Sequence, residues 1–175
     1  MTMNAGQHGK GTTGESSLAA YLHSHLIAAA AGERLFEQAA KTWKDSPRGS
    51  TIARLATEIS ADKATLEGIT EGLGLGIPAY KKPFAWTGAH LASLGPLNPL
   101  HARIGAAEQL ELEALISAVT GKSLLWRTLG LLSRTDPHVG QEQVASLLDR
   151  ATAQLRELEG LLLETAAERF TDAGQ

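Results

Sequence analysis

GAAEQLELEALISAVTGKSLLWRTLGLL, residues Gly105 to Leu132, reads as one amphipathic helix with charged groups in its apolar stripe. Projected at about 100° per residue, Ile104, Ala107, Ala114, Ala118, Leu125, Leu129 and Leu132 share a face, and Glu111 and Lys122 fall in the middle of it. A carboxylate in an apolar stripe is costly to bury unless it is paired, protonated or bound to a metal. The stretch therefore predicts a helical bundle with ionisable groups inside. Leu112, Ile116 and Val119 fall away from this row and hint at a second apolar contact surface, for a homodimer, an unidentified protein partner or the chain's own connection.

Upstream, the same periodicity recurs twice. Ala19, Leu22, Leu26, Ala29, Glu33, Phe36, Ala40 and Trp43 form an inward row spaced by threes and fours, with His25 at its edge. This predicts a first helix from Ser16 or Ser17, as cap, to about Lys44. Ser46-Pro47 marks a restart, and Ile52, Leu55, Ile59, Asp62, Leu66, Ile69 and Leu73 form the next row, with Glu58 on its flank. The short link makes these two helices antiparallel neighbours. Gly72, Gly74, Gly76 and Pro78 end the second one. A Pro- and Gly-punctuated connection to Asn98 follows, long enough to cross a bundle, with a short amphipathic helix expected over Phe84 to Ser93 around Trp86. Asn98-Pro99 and Asp136-Pro137 are start signals for the third and fourth helices. The fourth carries Val144, Leu147, Leu148, Ala151, Leu155, Leu158, Leu162 and Ala166 inward, with Gln154 and Glu159 at the margins.

The 175 residues suffice for one well-buried domain, expected over 16–175 behind a disordered tail, 1–15, that is polar and Gly-rich. A formal charge of −3 gives no basic footprint, so neither nucleic acid nor an anionic membrane is indicated as a partner. The absence of cysteine excludes disulfides and thiol chemistry. No apolar run spans a bilayer or serves as a signal peptide, and the expected location is cytoplasmic. Gly9-Lys10-Gly11-Thr12-Thr13-Gly14 has the dinucleotide spacing without the strand it needs, and Gly121-Lys122-Ser123 resembles a phosphate loop without its first glycine.

Two tightly joined helices, a long crossover and two further helices, with acidic residues on inner faces, resemble the ferritin-like superfamily of four-helix bundles over roughly residues 16–170. The resemblance implies an all-α fold and a carboxylate-bridged pair of iron or manganese ions. Carried over, Glu33 is the first-helix ligand, Glu58 or Asp62 the second-helix carboxylate, and Glu111 the third-helix ligand, with His25 as a fifth candidate. No Glu-x-x-His pair occurs in the chain, however, and the fourth helix offers no central ligand.

The competing expectation for the inward carboxylates is a polar layer of ion pairs, with Lys122, Lys63, Arg34 and Arg103 as partners. The leading reading is thus a non-catalytic bundle acting as a binding or structural module, without a cofactor. The alternative is a carboxylate-rich protein that stores or oxidises iron or manganese. A third reading is a small-ligand carrier whose core opens around Gly32 and Gly121.

Overall fold

The computed structural model describes the backbone of residues 8–76 and 106–170, and the side chains of 17–76 and 106–170. The described residues form four α-helices and no strand: α1 (His8–Thr42), α2 (Gly49–Gly72), α3 (Ala107–Leu132) and α4 (Gln141–Phe170). None of these helices is long and apolar enough to cross a membrane. Helix α1 begins at His8, upstream of the expected serine cap. Extending a formed helix costs far less than nucleating one, so residues 8–15 of the expected tail join it. Residues 1–7, the Asn98-Pro99 signal and the expected helix around Trp86 lie outside the described residues.

The α1–α2 turn is closed by Ser46. Its hydroxyl donates to the Trp43 carbonyl at 2.8 Å and accepts from the Arg48 amide at 3.2 Å. Gly49 then passes so close to the preceding backbone that a Cβ there would sit 2.5 Å from the Trp43 carbonyl oxygen. At the far end of α2, Gly74 adopts φ 71°, and the Gly74 and Leu75 amides return to the Glu71 and Thr70 carbonyls. This is the left-handed stop that the glycine cluster predicts. Asp136-Pro137 starts a turn, with Asp136 Oδ1 accepting from the His138 amide, and α4 begins only at Gln141.

Side-chain contacts fix the directions. His23, near the middle of α1, bonds the Leu75 carbonyl past the end of α2, while the short turn joins the end of α1 to the start of α2. Trp43 past the end of α1 meets Glu111 near the start of α3, and Tyr21 meets Thr128 near its end. Arg48, just before α2, pairs with Glu168 near the end of α4, and Arg54, in the second turn of α2, pairs with Glu157 at its middle. Every neighbouring pair is therefore antiparallel, and the helices close a ring in the order α1, α2, α4, α3. Helices α1 and α2, and α3 and α4, pack most closely. The α2–α4 seam is bridged largely by long charged side chains.

In the inward row of α2, Ile52, Leu55, Ile59, Asp62, Leu66 and Ile69 are all buried as the sequence reads them, and Leu73, just past the helix end, is half-buried. In α3 Leu125 and Leu129 of the expected row are buried, together with Leu112, Leu115, Val119, Ser123 and Trp126, so the buried face is shifted from the alanine-rich flank expected. Burial scales with apolar area, so Leu112, Val119 and Trp126 turn inward and leave Ala114 and Ala118 half-buried. Leu112 and Val119 thus belong to the core and not to a second contact surface. In α4 the buried row is Val144, Leu147, Ala151, Gln154, Leu158, Leu161 and Thr165, with Gln154 1% exposed where it meets Lys122, while the expected Leu148, Leu155 and Leu162 are half-buried and Glu159 is exposed.

Candidate functional site

Asp62 sits where three helices meet. Its side chain is fully buried, and its two oxygens are held separately, Oδ2 by the Lys122 ammonium from α3 and Oδ1 by Arg150 from α4 at 2.8 Å. Lys122 also donates to Gln154 Oε1 at 2.6 Å, and Gln154 Nε2 donates to Glu58 Oε2 at 2.9 Å. This amide orientation is the one that sets an acceptor against the ammonium and a donor against the carboxylate. Glu58 continues to Arg54, which bonds Glu157. The result is a continuous polar layer through α2, α3 and α4. Burial pushes the Lys122 amine below its ordinary value, against the opposing pull of the Asp62 charge. Burial alone would raise Glu58, but the hydrogen bonds from Gln154 and Arg54 outweigh it and hold the carboxyl below the usual range.

The other candidate ligands lie apart from Asp62. Glu33 faces the α1–α2 seam, accepting from Ser60 at 2.6 Å and pairing with Lys63 at 3.0 Å. Those bonds overcome its burial and keep its carboxyl low. Glu111 is half-buried near one end of the bundle, where it accepts from Trp43 Nε1 at 2.8 Å; burial raises its carboxyl. His25 packs edge-on against Tyr21, with ring centroids 4.6 Å apart, and burial lowers its imidazole. Among the described residues, no three acidic or histidine side chains gather as a metal site. A central carboxylate with cations on both oxygens does not fit a di-metal centre, because the cations stand where metal ions would. Of the expected partners, Lys122 and Lys63 serve; Arg103 lies outside the described residues. The sequence leaves Arg150 unmarked and puts Gln154 only at the margin of the α4 row, since neither interrupts that row's apparent apolar spacing.

Beside the polar layer is a cavity of about 560 Å³ bounded by α1, α2 and α3. Small residues wall it: Ala28, Ala29 and Gly32 from α1, and Ala114, Ala118 and Gly121 from α3. Phe36, Leu66, Leu125 and Trp126 line its apolar depth, and Asp62, Lys122 and His25 also contribute. Gly32 faces Ala118, where an added Cβ would lie 3.9 Å from the alanine methyl. The two helices approach at that point, and the absence of side-chain bulk around it leaves the space. The volume lies within the roughly 300–1,000 Å³ of small-molecule sites. No protein-family model, curated protein or solved structure matches this chain.

Proposed function

We propose that the protein is a non-catalytic ligand-binding bundle that takes a mostly apolar small molecule between α1, α2 and α3. The observation that carries this reading is the cavity itself. The space is a half-open cleft, walled by alanine and glycine at consecutive turns of two helices, and its volume is that of a small-molecule site. The chemistry nearby favours binding over catalysis, because the ionisable groups beside the cavity are paired with one another in a layer that fixes helix register.

The direction of the helices also supports a ferritin-like order. The chain leaves α2 beside the middle of α1 and enters α3 at the end where α1 finishes, as a bundle with one long crossover requires. In this reading the family's internal site has become a polar layer and an adjoining ligand space.

The test is organic extraction and mass spectrometry of the purified protein, together with thermal unfolding in butylbenzene. The expected results are a co-purifying apolar molecule and a Tm raised by about 4 °C at ligand tenfold above Kd. Gly121→Leu, which puts a side chain into open space at the cavity wall, is expected to fold and to lose the shift. No extracted molecule and no shift in the unsubstituted protein would overturn the proposal.

A further inference from the structure

The outer face of α3 carries a second periodic row. Glu113, Ser117, Thr120, Leu124, Arg127 and Leu131 recur by alternating fours and threes, opposite the buried row, and all are exposed, Leu124 at 54% and Leu131 at 64%. Residues so spaced form the seam along which two helices pack nearly in line. Ile27 of α1 is also exposed. Because Tyr21 meets Thr128 and Gly32 faces Ala118, it stands level with Leu124, and the cleft reaches the surface between the two helices, where exposed Ser24, Ala28 and Ser117 line it. Large apolar side chains left in water on adjoining helices favour a covering partner.

The charges of the row identify that partner. Glu113 and Arg127 have no ion-pair partner among the described residues, and they stand about 21 Å apart along the helix, with Thr120 midway. A second copy laid alongside in the same direction sets glutamate on glutamate and arginine on arginine. Turned end for end about a two-fold axis through Thr120, it sets Glu113 of each copy opposite Arg127 of the other, and Leu124 of each opposite the small Ser117 of the other. Since the contacts above match the levels of α1 and α3, the same axis crosses α1 near Ala30, between Ala28 and Ala31. There Arg34 comes opposite Ile27, Glu37 opposite His23 and Lys41 opposite Ala20, so no like charges meet. We infer that the α1–α3 face docks a second copy of the chain, with α3 antiparallel to α3 in register at Thr120. The inference rests on this surface row and holds whether or not the cleft takes a ligand.

Sedimentation equilibrium of the full chain at low salt is expected to show monomer and dimer in exchange. Each contact occurs twice across a two-fold, so Glu113→Arg, like Arg127→Glu, opposes like charges at two places and is expected to weaken dimerisation about tenfold. The two together restore the pairing, and the double variant should return to within about twofold of the unsubstituted affinity. These positions are exposed, where substitutions leave folding intact, and far-ultraviolet circular dichroism checks it. The chain has no cysteine, so Thr120→Cys on the axis should join two copies by a disulfide on air oxidation, whereas Glu113→Cys, about 21 Å from its counterpart, should not. A monomer at every concentration would overturn the inference and leave this face to the chain's own residues 77–105 or to a different protein. A dimer indifferent to both charge changes, or a double variant as weak as the single ones, would overturn this face and register.

Discussion

Asp62 carries the largest energetic consequence of any single side chain described. Removing its charge strands Lys122, which is only 14% exposed, beside a guanidinium that has lost its own acceptor. Asp62→Asn is expected to cost about 3 kcal/mol, as for breaking a buried pair, read as a lowered urea midpoint. Adding Lys122→Met should recover much of that loss, because replacing both partners is far cheaper than orphaning one. A single variant within 0.5 kcal/mol of wild type, at the roughly neutral level of surface changes, would sink the argument. The glutamates give opposite pH signs. Glu33 is held below the ordinary glutamate value, so its stabilisation is complete above that value and is lost as pH falls through the folded one. Glu111 is raised, so the folded chain takes up its proton first, and its penalty at neutral pH disappears in acid. Urea unfolding from neutral to acid pH should therefore show Glu111→Gln more stable and Glu33→Gln less stable than wild type at neutrality, both differences shrinking in acid. Asp62 was legible as the lone polar member of a clean apolar row. Gln154 was not, because an amide at the edge of a leucine-rich face gives no pattern by which to foresee its burial.

The helices differ in how clearly their sequences state which face turns inward. In α2, branched and bulky side chains recur at threes and fours with polar residues between, and one face is far more apolar than any other. In α3 the apolar arc is wide, with alanines on one flank and leucine, valine and tryptophan on the other. Counting apolar positions favours the first flank; weighing their area favours the second, which the structure buries. The cavity arises from this rotation, since it leaves Ala114, Ala118 and Gly121 at the α1–α3 boundary, with little volume to fill it. Glycines within the elements divide the same way. Gly49→Ala puts a Cβ 2.5 Å from the Trp43 carbonyl oxygen and 2.7 Å from that of Lys44. It should destabilise by about 2 kcal/mol or more, as overpacking does, with loosening of the α1–α2 turn. Gly68→Ala and Gly160→Ala meet nothing within 4 Å inside α2 and α4. Each should add about 0.5–1 kcal/mol through the helix preference for alanine. Chemical unfolding of the three variants checks both signs.

Across the whole molecule the walls of the ring are of different chemical kinds. The α2–α4 wall is joined by Arg48 with Glu168, Arg54 with Glu157, and Asp62 with Arg150, several of these side chains reaching solvent. The α1–α3 wall is built from small apolar residues around the cavity. Exposed ion pairs contribute about 0–1 kcal/mol each, and raising salt from about 0.15 to 1 M shortens the screening length from about 8 to 3 Å. Amide exchange in high salt is therefore expected to quicken along the facing sides of α2 and α4, and to change little between α1 and α3. Uniform quickening in all four helices would contradict this division. Helix α4 contributes nothing to the cavity lining, yet it grips Asp62, which does line it. The carboxylate thus belongs to both walls, and disturbance of either must travel to the other through it. On the binding role proposed above, ionic strength and occupancy, although they act on opposite sides of the bundle, would be coupled through one side chain, and a change in the salt of the surroundings would become a change in how firmly the cleft holds its guest.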